Sequence, residues 1–554
     1  MLFERYLREV LRRYPRVLGF ARRLRVSLGG RDTRRVLTRA RRLRKQGRLP
    51  RARRMLVRTW RSGRAGPRVA AELAMIAQDS GQWDEAVVWW RRRFQQCRQV
   101  PAPDEYLAYA RVCFWTGDSA HASRLLEQGI ARHPKALKLR VAWAEQAMSS
   151  RRWRAAVTRW NRLFEEHPRA VPRKYQRRRR IARDTRTWCA LDSGEDTEDF
   201  ADRVLAWKHA VRVKSDTRLV KRLSHVLAAL DDHESYQRLL RLHDPELAPL
   251  DSRETVLDRQ FIGEGYGRGV LNVYRRMILS ERGRSAAVTR FEKIYFCDAE
   301  EYTRIRAFRD WFPSAAGNAA PPIVALSEGQ RLAAVYWDYL SPSDSSVDFN
   351  AEHGLALALD LCLQVNGSIQ LSSNDPSVDV ALTASGNRLL RRFPEARGLI
   401  ERHLEARQGP PGRPESDVVD EWHAVAGHIN GYEKRISELP LVASHGDINP
   451  RNILLVNGRP CLIDWDYWGF LPPGYDLARI IRYSGIRDLD VVLGYVNRYV
   501  DRMGMDSMRD EITVAVIWYL LHFVAYAELS KKGQPGMKRM SFIYRMIAWL
   551  ARYG

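Results

Sequence analysis

LVASHGDINPRNILLVNGRPCLIDWDYWGFLPPGYDLARI, residues 441–480, is the stretch that decides the fold of the second half of this chain. Short apolar runs alternate with polar turns, which predicts strand, loop, strand, turn, strand, loop and helix. Asp447 and Asn452 stand five apart on one loop, and Asp464 follows an apolar strand. Phosphoryl transfer needs one carboxylate beside the attacking hydroxyl, and an amide oxygen and a second carboxylate to hold Mg²⁺ against the phosphates. The spacing therefore predicts a site for phosphoryl transfer.

The pattern H-G-D-x-x-x-x-N, followed by I-D-W and later by Y-D-L-A, resembles the aminoglycoside phosphotransferase and choline kinase family, a branch of the protein-kinase-like fold. The resemblance covers roughly residues 255–554 and is densest at 445–477. It implies that Asp447 is the catalytic base or orients the hydroxyl, and that Asn452 and Asp464 are the metal ligands. A typical protein kinase would show H-R-D and D-F-G at these places, so the small-molecule branch is favoured.

Three further residues of this stretch receive roles from the same resemblance. His445 is assigned to the catalytic loop, where we expect it to brace the backbone rather than move protons. Asp476 is expected to accept hydrogen bonds from the backbone of that loop. Asp466 lies two residues past the metal-ligand candidate, and both a second Mg²⁺ ligand and a solvated turn carboxylate remain open for it.

A glycine-rich hairpin begins the nucleotide lobe that the resemblance implies. RQFIGEGYGRGVLNVYRRMIL, residues 259–279, predicts two strands around a loop that contains Gly263, Gly265, Gly267 and Gly269. Glycines let backbone N–H groups approach ATP phosphates without Cβ clashes. We therefore assign Gly263, Gly265 and Gly267 to nucleotide binding.

Two later segments complete this lobe by their order along the chain. Lys293 lies in an alternating strand where the phosphate-binding lysine belongs, and we expect it to pair with Glu301 on the next helix, or else with Glu300. RLAAVYWDYLSP, residues 331–342, resembles the strand and hinge that receive adenine. The backbone of Trp337 to Tyr339 would make those hydrogen bonds.

The first half of the chain is helical and repetitive. Short turns begin at Gly47, Gly81, Gly117 and Arg151, and each is followed five residues later by an alanine: Ala52, Ala86, Ala122 and Ala156. These alanines are 34, 36 and 34 residues apart. A period near 34 with a small residue where two helices cross resembles the tetratricopeptide repeat (TPR). Such repeats stack into a solenoid with a concave groove.

Aromatic residues of the C-terminal helices have two interpretations. In the family they would complete the acceptor pocket, with Trp518, Tyr519, Phe523 and Tyr526 as a wall for a sugar or a quaternary amine. Their helical spacing is also typical of core residues. The two interpretations make different predictions about their exposure.

The distribution of charge along the chain indicates which kinds of partner the protein binds. Residues 1–50 carry 17 Lys/Arg against Glu4, Glu9 and Asp32, which is half of the net charge of +28. An anionic partner follows: a membrane surface, a phosphorylated glycan or nucleic acid. Residues 1–35 are either a basic amphipathic helix on anionic lipid or the first cap of the solenoid. The six scattered cysteines form no CxxC pair, which argues against disulfides and structural zinc.

The predicted fold is an N-terminal all-α TPR-like solenoid followed by an α+β two-lobed kinase-like phosphotransferase domain. We place a domain boundary in the Pro-containing segment 244–254. The predicted parts are the basic amphipathic helix at 1–35, repeats at 36–170, a basic extension or divergent repeat at 171–250, the N-lobe at 255–340 and the C-lobe at 341–554.

The predicted activity is transfer of the γ-phosphate of ATP, with Mg²⁺ as cofactor, to a hydroxyl of a small molecule or glycan. The alternative is a nucleotide-binding TPR scaffold without turnover.

Expected partners are the acceptor, a protein in the repeat groove and an anionic membrane surface at the basic N-terminus. Nucleic acid is disfavoured because no base-reading module is recognisable. Arginines interrupt the apolar runs of residues 1–30, so we expect a cytoplasmic protein, peripheral at the inner membrane face if the N-terminal helix binds lipid.

Overall fold

The computed structural model describes residues 33–44, 46–62, 66–96, 99–168, 170–172, 174–191, 200–250, 255–263, 269–280, 287–311, 319–340, 347–373, 375–379, 382–383, 390–405, 415–530 and 537–553. Gly265, Gly267 and almost all of the predicted N-terminal helix at 1–35 lie outside these residues. The chain forms two compact units, Met1–Arg212 and Val213–Gly554.

The described part of the first unit is entirely helical, in agreement with the repeat prediction. Residues 33–44 are helical. The helices that follow are α1 (Leu49–Arg61), α2 (Pro67–Asp79), α3 (Trp83–Gln96), α4 (Pro103–Trp115), α5 (Ser119–Arg132), α6 (Leu137–Ser149), α7 (Trp153–Glu166), α8 (Lys174–Leu191) and α9 (Phe200–Ala210).

The turn and crossing positions of the repeat behave as the period predicts. Gly47, Gly81 and Gly117 have φ of 71°, 67° and 86°, a left-handed conformation that glycine adopts without a Cβ penalty. Arg151 holds the equivalent position at φ 53°. The four alanines are fully buried, each at 0% exposure: Ala52, Ala86, Ala122 and Ala156. Small side chains let the paired helices approach closely, so the TPR-like fold class is confirmed.

The second unit begins with a helix pair and a five-stranded sheet. The helices are α10 (Asp216–Leu230) and α11 (His233–His243), and the strands are β1 (Thr255–Gly263), β2 (Val270–Ser280), β3 (Val288–Phe296), β4 (Ile323–Glu328) and β5 (Leu332–Asp338). The strand order is β1-β2-β3-β5-β4, with antiparallel neighbours. Helix α12 (Glu300–Trp311) follows β3.

The domain boundary predicted at 244–254 requires a correction, because α10 and α11 belong to the second unit. The ring of His233 on α11 stacks on Phe261 of β1 with centroids 4.1 Å apart. Asp244, at the end of α11, accepts backbone hydrogen bonds from Arg331 and Leu332 in the β4–β5 turn, each at 2.7 Å. The helix pair buries its apolar face on the sheet. The Pro-containing segment at 244–254 marks a bend in the chain and does not show this packing.

The rest of the second unit is a mainly helical lobe with short strands. Its helices are α13 (Glu352–Asn366), α14 (Phe393–Glu405), α15 (Glu415–Gly427), α16 (Ile429–Ser437), α17 (Tyr475–Ser484), α18 (Leu489–Met503), α19 (Arg509–Leu529) and α20 (Met537–Ala551), and its strands are β6 (Gln370–Leu371), β7 (Leu441–Ser444), β8 (Ile453–Val456), β9 (Arg459–Leu462) and β10 (Gly469–Leu471). The predicted α+β two-lobed class is confirmed.

Helix α19 forms the centre of this lobe. With the turn before it, Asp506–Leu529 is long and apolar enough to cross a membrane, at a mean hydropathy of 1.7, and 83% of an 18-residue window within it is buried inside the protein. Trp518 and Tyr519 are 2% and 3% exposed. For these two aromatics the core interpretation holds, because a buried helix of this kind is hydrophobic all round.

Candidate active site

The catalytic loop lies between β7 and β8 and is held by Asp476 at the start of α17. The fully buried carboxylate of Asp476 accepts the backbone N–H of His445 at 2.9 Å and that of Gly446 at 3.0 Å. Burial raises the pKa of Asp476 to about 6, against the opposing effect of these two donors. The predicted structural role of Asp476 is confirmed.

His445 braces the loop from inside. Its Nε2–H donates to the carbonyl of Ile463 at 3.0 Å, and its Nδ1 accepts the backbone N–H of Asp447 at 3.2 Å. Burial lowers the pKa of His445 to about 4, so the ring is neutral at physiological pH. The imidazole therefore links the loop that contains Asp447 to Ile463, the residue before Asp464. Both of its nitrogens are used in these hydrogen bonds, which fits a bracing role.

Gly446 is required by the geometry of this loop, and its replacement is a test of that geometry. Its φ is +79°, and a Cβ there would lie 2.1 Å from the carbonyl oxygen of Tyr467. Gly458 has nearly the same φ, +78°, with open space around its Cβ position. We expect Gly458→Ala to cost about 1–2 kcal/mol of stability from the left-handed backbone and to retain activity. Gly446→Ala adds the clash and is expected to abolish activity.

Thermal unfolding and turnover of the two alanine variants measure this difference. Because the backbone strain is matched, any excess loss in Gly446→Ala reports the contact with Tyr467. Equal activity in the two variants would contradict a tightly packed catalytic loop.

Asp447 projects beside a buried arginine. Its Oδ1 pairs with Nη2 of Arg479, and its side chain keeps 20% exposure against 6% for the arginine. The backbone carbonyl of Asp447 accepts Nδ2 of Asn449 and Nδ2 of Asn452, each at 3.0 Å. Sequence reasoning missed Arg479, although it follows Asp476 by three residues and so shares its face of α17. The carboxylate is thus accessible and held in one direction.

Asn452 and Asp464 line the same cavity, and the backbones next to them are joined, since the N–H of Ile463 donates to the carbonyl of Asn452 at 2.8 Å. Asp464 has φ 67° and ψ 61°, a left-handed conformation that is uncommon for aspartate and is found at functional sites. Its side chain is 42% exposed. Because Nδ2 of Asn452 is already used, its Oδ1 is the atom available to a cation.

This pair fits Mg²⁺, which takes oxygen ligands and is held in such sites by one or two protein groups plus substrate phosphates and water. Among the described residues, no group of three or more His, Cys, Asp or Glu side chains is placed to hold a metal ion. A site completed by a nucleotide needs no such cluster. The side chains of Asn452 and Asp464 are therefore suitable ligands.

Lys293 corrects one prediction, because it pairs with Asp464 and Asp466 and not with Glu301. Its Nζ lies 2.8 Å from Oδ1 of Asp464 and 2.7 Å from both carboxylate oxygens of Asp466. Burial opposes the charge of Lys293, yet these two carboxylates raise its pKa well above the usual value. The hydroxyl of Tyr295 also donates to Asp466, at 2.8 Å. Asp466 is 7% exposed, so it is a buried lysine anchor and no solvated turn residue.

The reason lies in the first turn of α12. The carboxylate of Glu301 lies against Gly269, where an added Cβ would come within 2.2 Å of Oε2, and Glu300 pairs with Arg391 at 2.9 Å. Farther along, the buried Arg304 donates to the carbonyl of Trp468 at 2.9 Å. Arg304 therefore occupies the inner face of α12, where Glu301 was expected. Asp466 takes the place of Glu301 as a carboxylate partner of Lys293.

A cavity of about 360 Å³ brings most of the predicted nucleotide residues together. Its lining includes the predicted residues Gly263, Lys293, Trp337, Tyr339, Asn452 and Asp464. The register places Lys293 opposite Tyr274 of β2 and Val335 of β5. Glu301 is not part of the lining. Phe291 and Trp465 also line the cavity, and aromatic lining residues suit a flat aromatic base.

Fold and site together define a kinase-like phosphotransferase domain that follows a set of TPR-like helix pairs in the chain. Residues 263–510 match the sequence profile of the phosphotransferase enzyme family (APH). The resemblance predicted from the catalytic loop is thereby confirmed over these residues. None of the curated proteins matches the chain.

Solved structures resemble each half of the chain. One is the aminoglycoside phosphotransferase of Streptomyces rimosus in complex with ADP and streptomycin, with 16% identity, 46% of this chain and 92% of that chain covered, and a TM-score of 0.27. The choline kinase of Cryptosporidium parvum has 12% identity, 53% and 87% coverage and a TM-score of 0.31. The TPR protein YrrB has 9% identity, 37% and 90% coverage and a TM-score of 0.25.

Proposed function

We propose that the protein transfers the γ-phosphate of ATP to a hydroxyl of a small molecule or glycan. One observation carries this proposal: Lys293, Asn452 and Asp464 line one cavity, and Asn452 is hydrogen-bonded to the backbone of Asp447. Base, metal ligands and phosphate-binding lysine are the parts that this reaction needs. They are together only because three separate segments of the chain converge.

In this mechanism the residues of the chain mainly position the reacting groups and neutralise the negative charge of the phosphates. Asp447 accepts the proton of the attacking hydroxyl. Asn452 and Asp464 would hold Mg²⁺, which when bound offsets the negative charge of the phosphates. Lys293 stays protonated between Asp464 and Asp466 and can turn toward a phosphate oxygen. Catalysis then comes from orientation and electrostatics, with no covalent enzyme intermediate.

Acceptor-dependent release of ADP tests the proposal. The full-length protein is incubated with Mg·ATP and a panel of hydroxyl compounds, and ADP is measured with and without each compound. Stimulated release that Asp447→Ala removes is the expected result. Undiminished ATP consumption by Asp447→Ala in the presence of the acceptor would refute the assignment. Tight nucleotide binding without any ADP release would favour the scaffold alternative.

Asp464→Asn is expected to weaken Mg·ATP binding by at least about tenfold, since even outer-shell changes have effects of that size on metal affinity. Binding of ATP in EDTA should change little, because the backbone of Trp337 to Tyr339, which is expected to receive adenine, is untouched. Titration of a fluorescent ATP analogue with and without Mg²⁺ measures both. The exposed Asp490→Asn is the matched control. An equal loss of binding with and without Mg²⁺ would contradict a metal-binding role.

We also propose that the TPR-like unit binds a protein partner, since repeat arrays of this kind present extended binding surfaces. A cytoplasmic location and attachment of residues 1–35 to anionic lipid remain proposals that rest on the basic sequence. Removal of residues 1–35 should abolish pelleting of the protein with anionic liposomes. Unchanged pelleting would refute the membrane anchor.

A further inference from the structure

A second cavity, of about 380 Å³, lies in the helical lobe, and Asp447 is not part of its lining. Arg479 joins the two, because it lines this cavity and pairs with Asp447. The lining holds four arginines: Arg392, Arg479, Arg482 and Arg487. It holds one carboxylate, Glu528, which pairs with Arg539. The cavity that Arg479 connects to Asp447 is therefore strongly positive.

Several polar atoms of this lining are buried without a hydrogen-bond partner in the described part of the chain. They are Nε of Arg479, Nη1 of Arg482 and Nε2 of His522. Buried donors and acceptors are normally satisfied, and leaving them unpaired is costly. Two of these atoms are cationic donors, so they match an anionic oxygen.

His522 adds an acceptor to these donors. A carbonyl can only accept, so Nδ1 of His522 carries the proton that it shares with Trp518 O at 2.8 Å. Burial lowers the pKa of this ring to about 3, which keeps it neutral and leaves Nε2 with a lone pair. A lone pair of that kind suits a ligand hydroxyl.

Aromatic rings hold the guanidinium groups in place. Arg482 lies 4.5 Å from the ring centroid of Tyr483, Arg479 lies 5.0 Å from that of Phe523, and Arg392 lies 5.3 Å from that of Tyr526. Stacked guanidiniums are preorganised to bind carboxylate or phosphate through two parallel hydrogen bonds. Phe523 and Tyr526, two of the four aromatics predicted for an acceptor wall, thus line the cavity as supports for positive charge.

We propose that the phosphate acceptor is a hydroxylated anion, a sugar acid or sugar phosphate, whose carboxylate or phosphate binds Arg392, Arg482 and Arg487 while its hydroxyl reaches Asp447. This inference rests on the proposed phosphotransferase function and names its substrate class. In the reaction the acceptor oxygen forms a bond to the γ-phosphorus of ATP, and the bond from that phosphorus to the β–γ bridging oxygen breaks. The hydroxyl proton passes to Asp447, and ADP leaves. A cationic amino sugar or quaternary amine would meet four like charges here.

Matched acceptors and matched variants test the proposal in the full-length protein. Glucose is compared with glucuronate and glucose 6-phosphate, and kanamycin and choline represent cationic acceptors. We expect kcat/KM for an anionic compound to exceed that for its neutral counterpart by at least about 100-fold, since buried donors left unpaired reject the analogue that lacks their partner. Arg392→Gln and Arg482→Gln should raise KM for the anion about tenfold or more with little change in kcat. Arg498→Gln, an exposed arginine stacked on Tyr495 at 4.2 Å, is the control.

Calorimetry with inorganic phosphate and glucose 6-phosphate, in saturating Mg²⁺ and AMP-PNP, measures the anion site apart from turnover. Binding that both Gln variants weaken while no acceptor is phosphorylated would support the anion site and count against the phosphotransferase. Binding that neither variant changes would overturn the anion site. Equal kcat/KM for neutral, cationic and anionic acceptors would overturn it as well and leave the phosphotransferase standing.

Discussion

Asp447→Asn is expected to lower kcat by roughly 10²- to 10⁴-fold, the contribution that general base catalysis commonly makes. The amide keeps the size of the side chain but cannot accept the hydroxyl proton. The loop itself should stay in place, because Asp476 and His445 hold it through the backbone. Affinity for Mg·ATP is therefore expected to stay within about twofold of wild type.

Single-turnover measurement of ADP formation at saturating Mg·ATP checks this prediction, with nucleotide binding measured on the same protein. Asp490→Asn, a surface change of the same chemistry, controls for handling and stability. A variant that loses nucleotide binding as well would indicate that Asp447 organises the cavity. A variant with normal kcat would remove it from the mechanism.

Arg275→Met is expected to destabilise the second unit by about 3–5 kcal/mol, because it leaves the carboxylate of Glu292 buried without its ion-pair partner. Arg275 on β2 and Glu292 on β3 are 0% and 1% exposed and join through two bonds of 2.6 Å. Tyr236 of α11 lies over the guanidinium, whose central carbon is 4.8 Å from the ring centroid. The pair thus lies at the contact of α11 with the sheet that carries Lys293.

The double variant Arg275→Met with Glu292→Leu separates charge burial from packing. Replacing both partners with apolar side chains should recover most of the loss, since no charge is left uncompensated. Recovery should be incomplete, because Tyr336 also donates to Glu292 at 3.1 Å. Denaturant unfolding measures the free energy of unfolding of the wild type and of both variants. Hydrogen exchange in α11 reports whether this helix stays packed on the sheet. A single variant that costs less than about 1 kcal/mol would contradict a buried, dry ion pair.

Motifs whose partners are close in sequence were predictable to the residue. The 34-residue period located turns at Gly47, Gly81 and Gly117, all left-handed in the structure. The catalytic loop was predictable in the same way, because Asp447 and Asn452 share one loop and are joined through a backbone carbonyl. Local geometry of this kind depends on a few neighbouring residues, so the sequence carries it directly.

Partners that are distant in the chain were not predictable in this way. Lys293 was assigned to the nearest acidic helix, whereas its partners Asp464 and Asp466 follow it by more than 170 residues. The boundary predicted at 244–254 missed the docking of α10 and α11 on the sheet for the same reason. Local composition indicates where a chain can bend. It does not show which helix and sheet surfaces pack together after the bend.

The sequence by itself determined the reaction class, since the loop of residues 445–452 and the strand end at Asp464 can be recognised without a fold. Only the tertiary structure decided which carboxylates anchor Lys293 and which side chains line the second cavity. Arg392, Arg479, Arg482 and Arg487 are unremarkable in a chain of net charge +28. Arg479 and Arg482 share a face of α17, and only the packing of the helical lobe brings Arg392, from a distant part of the chain, to the same cavity.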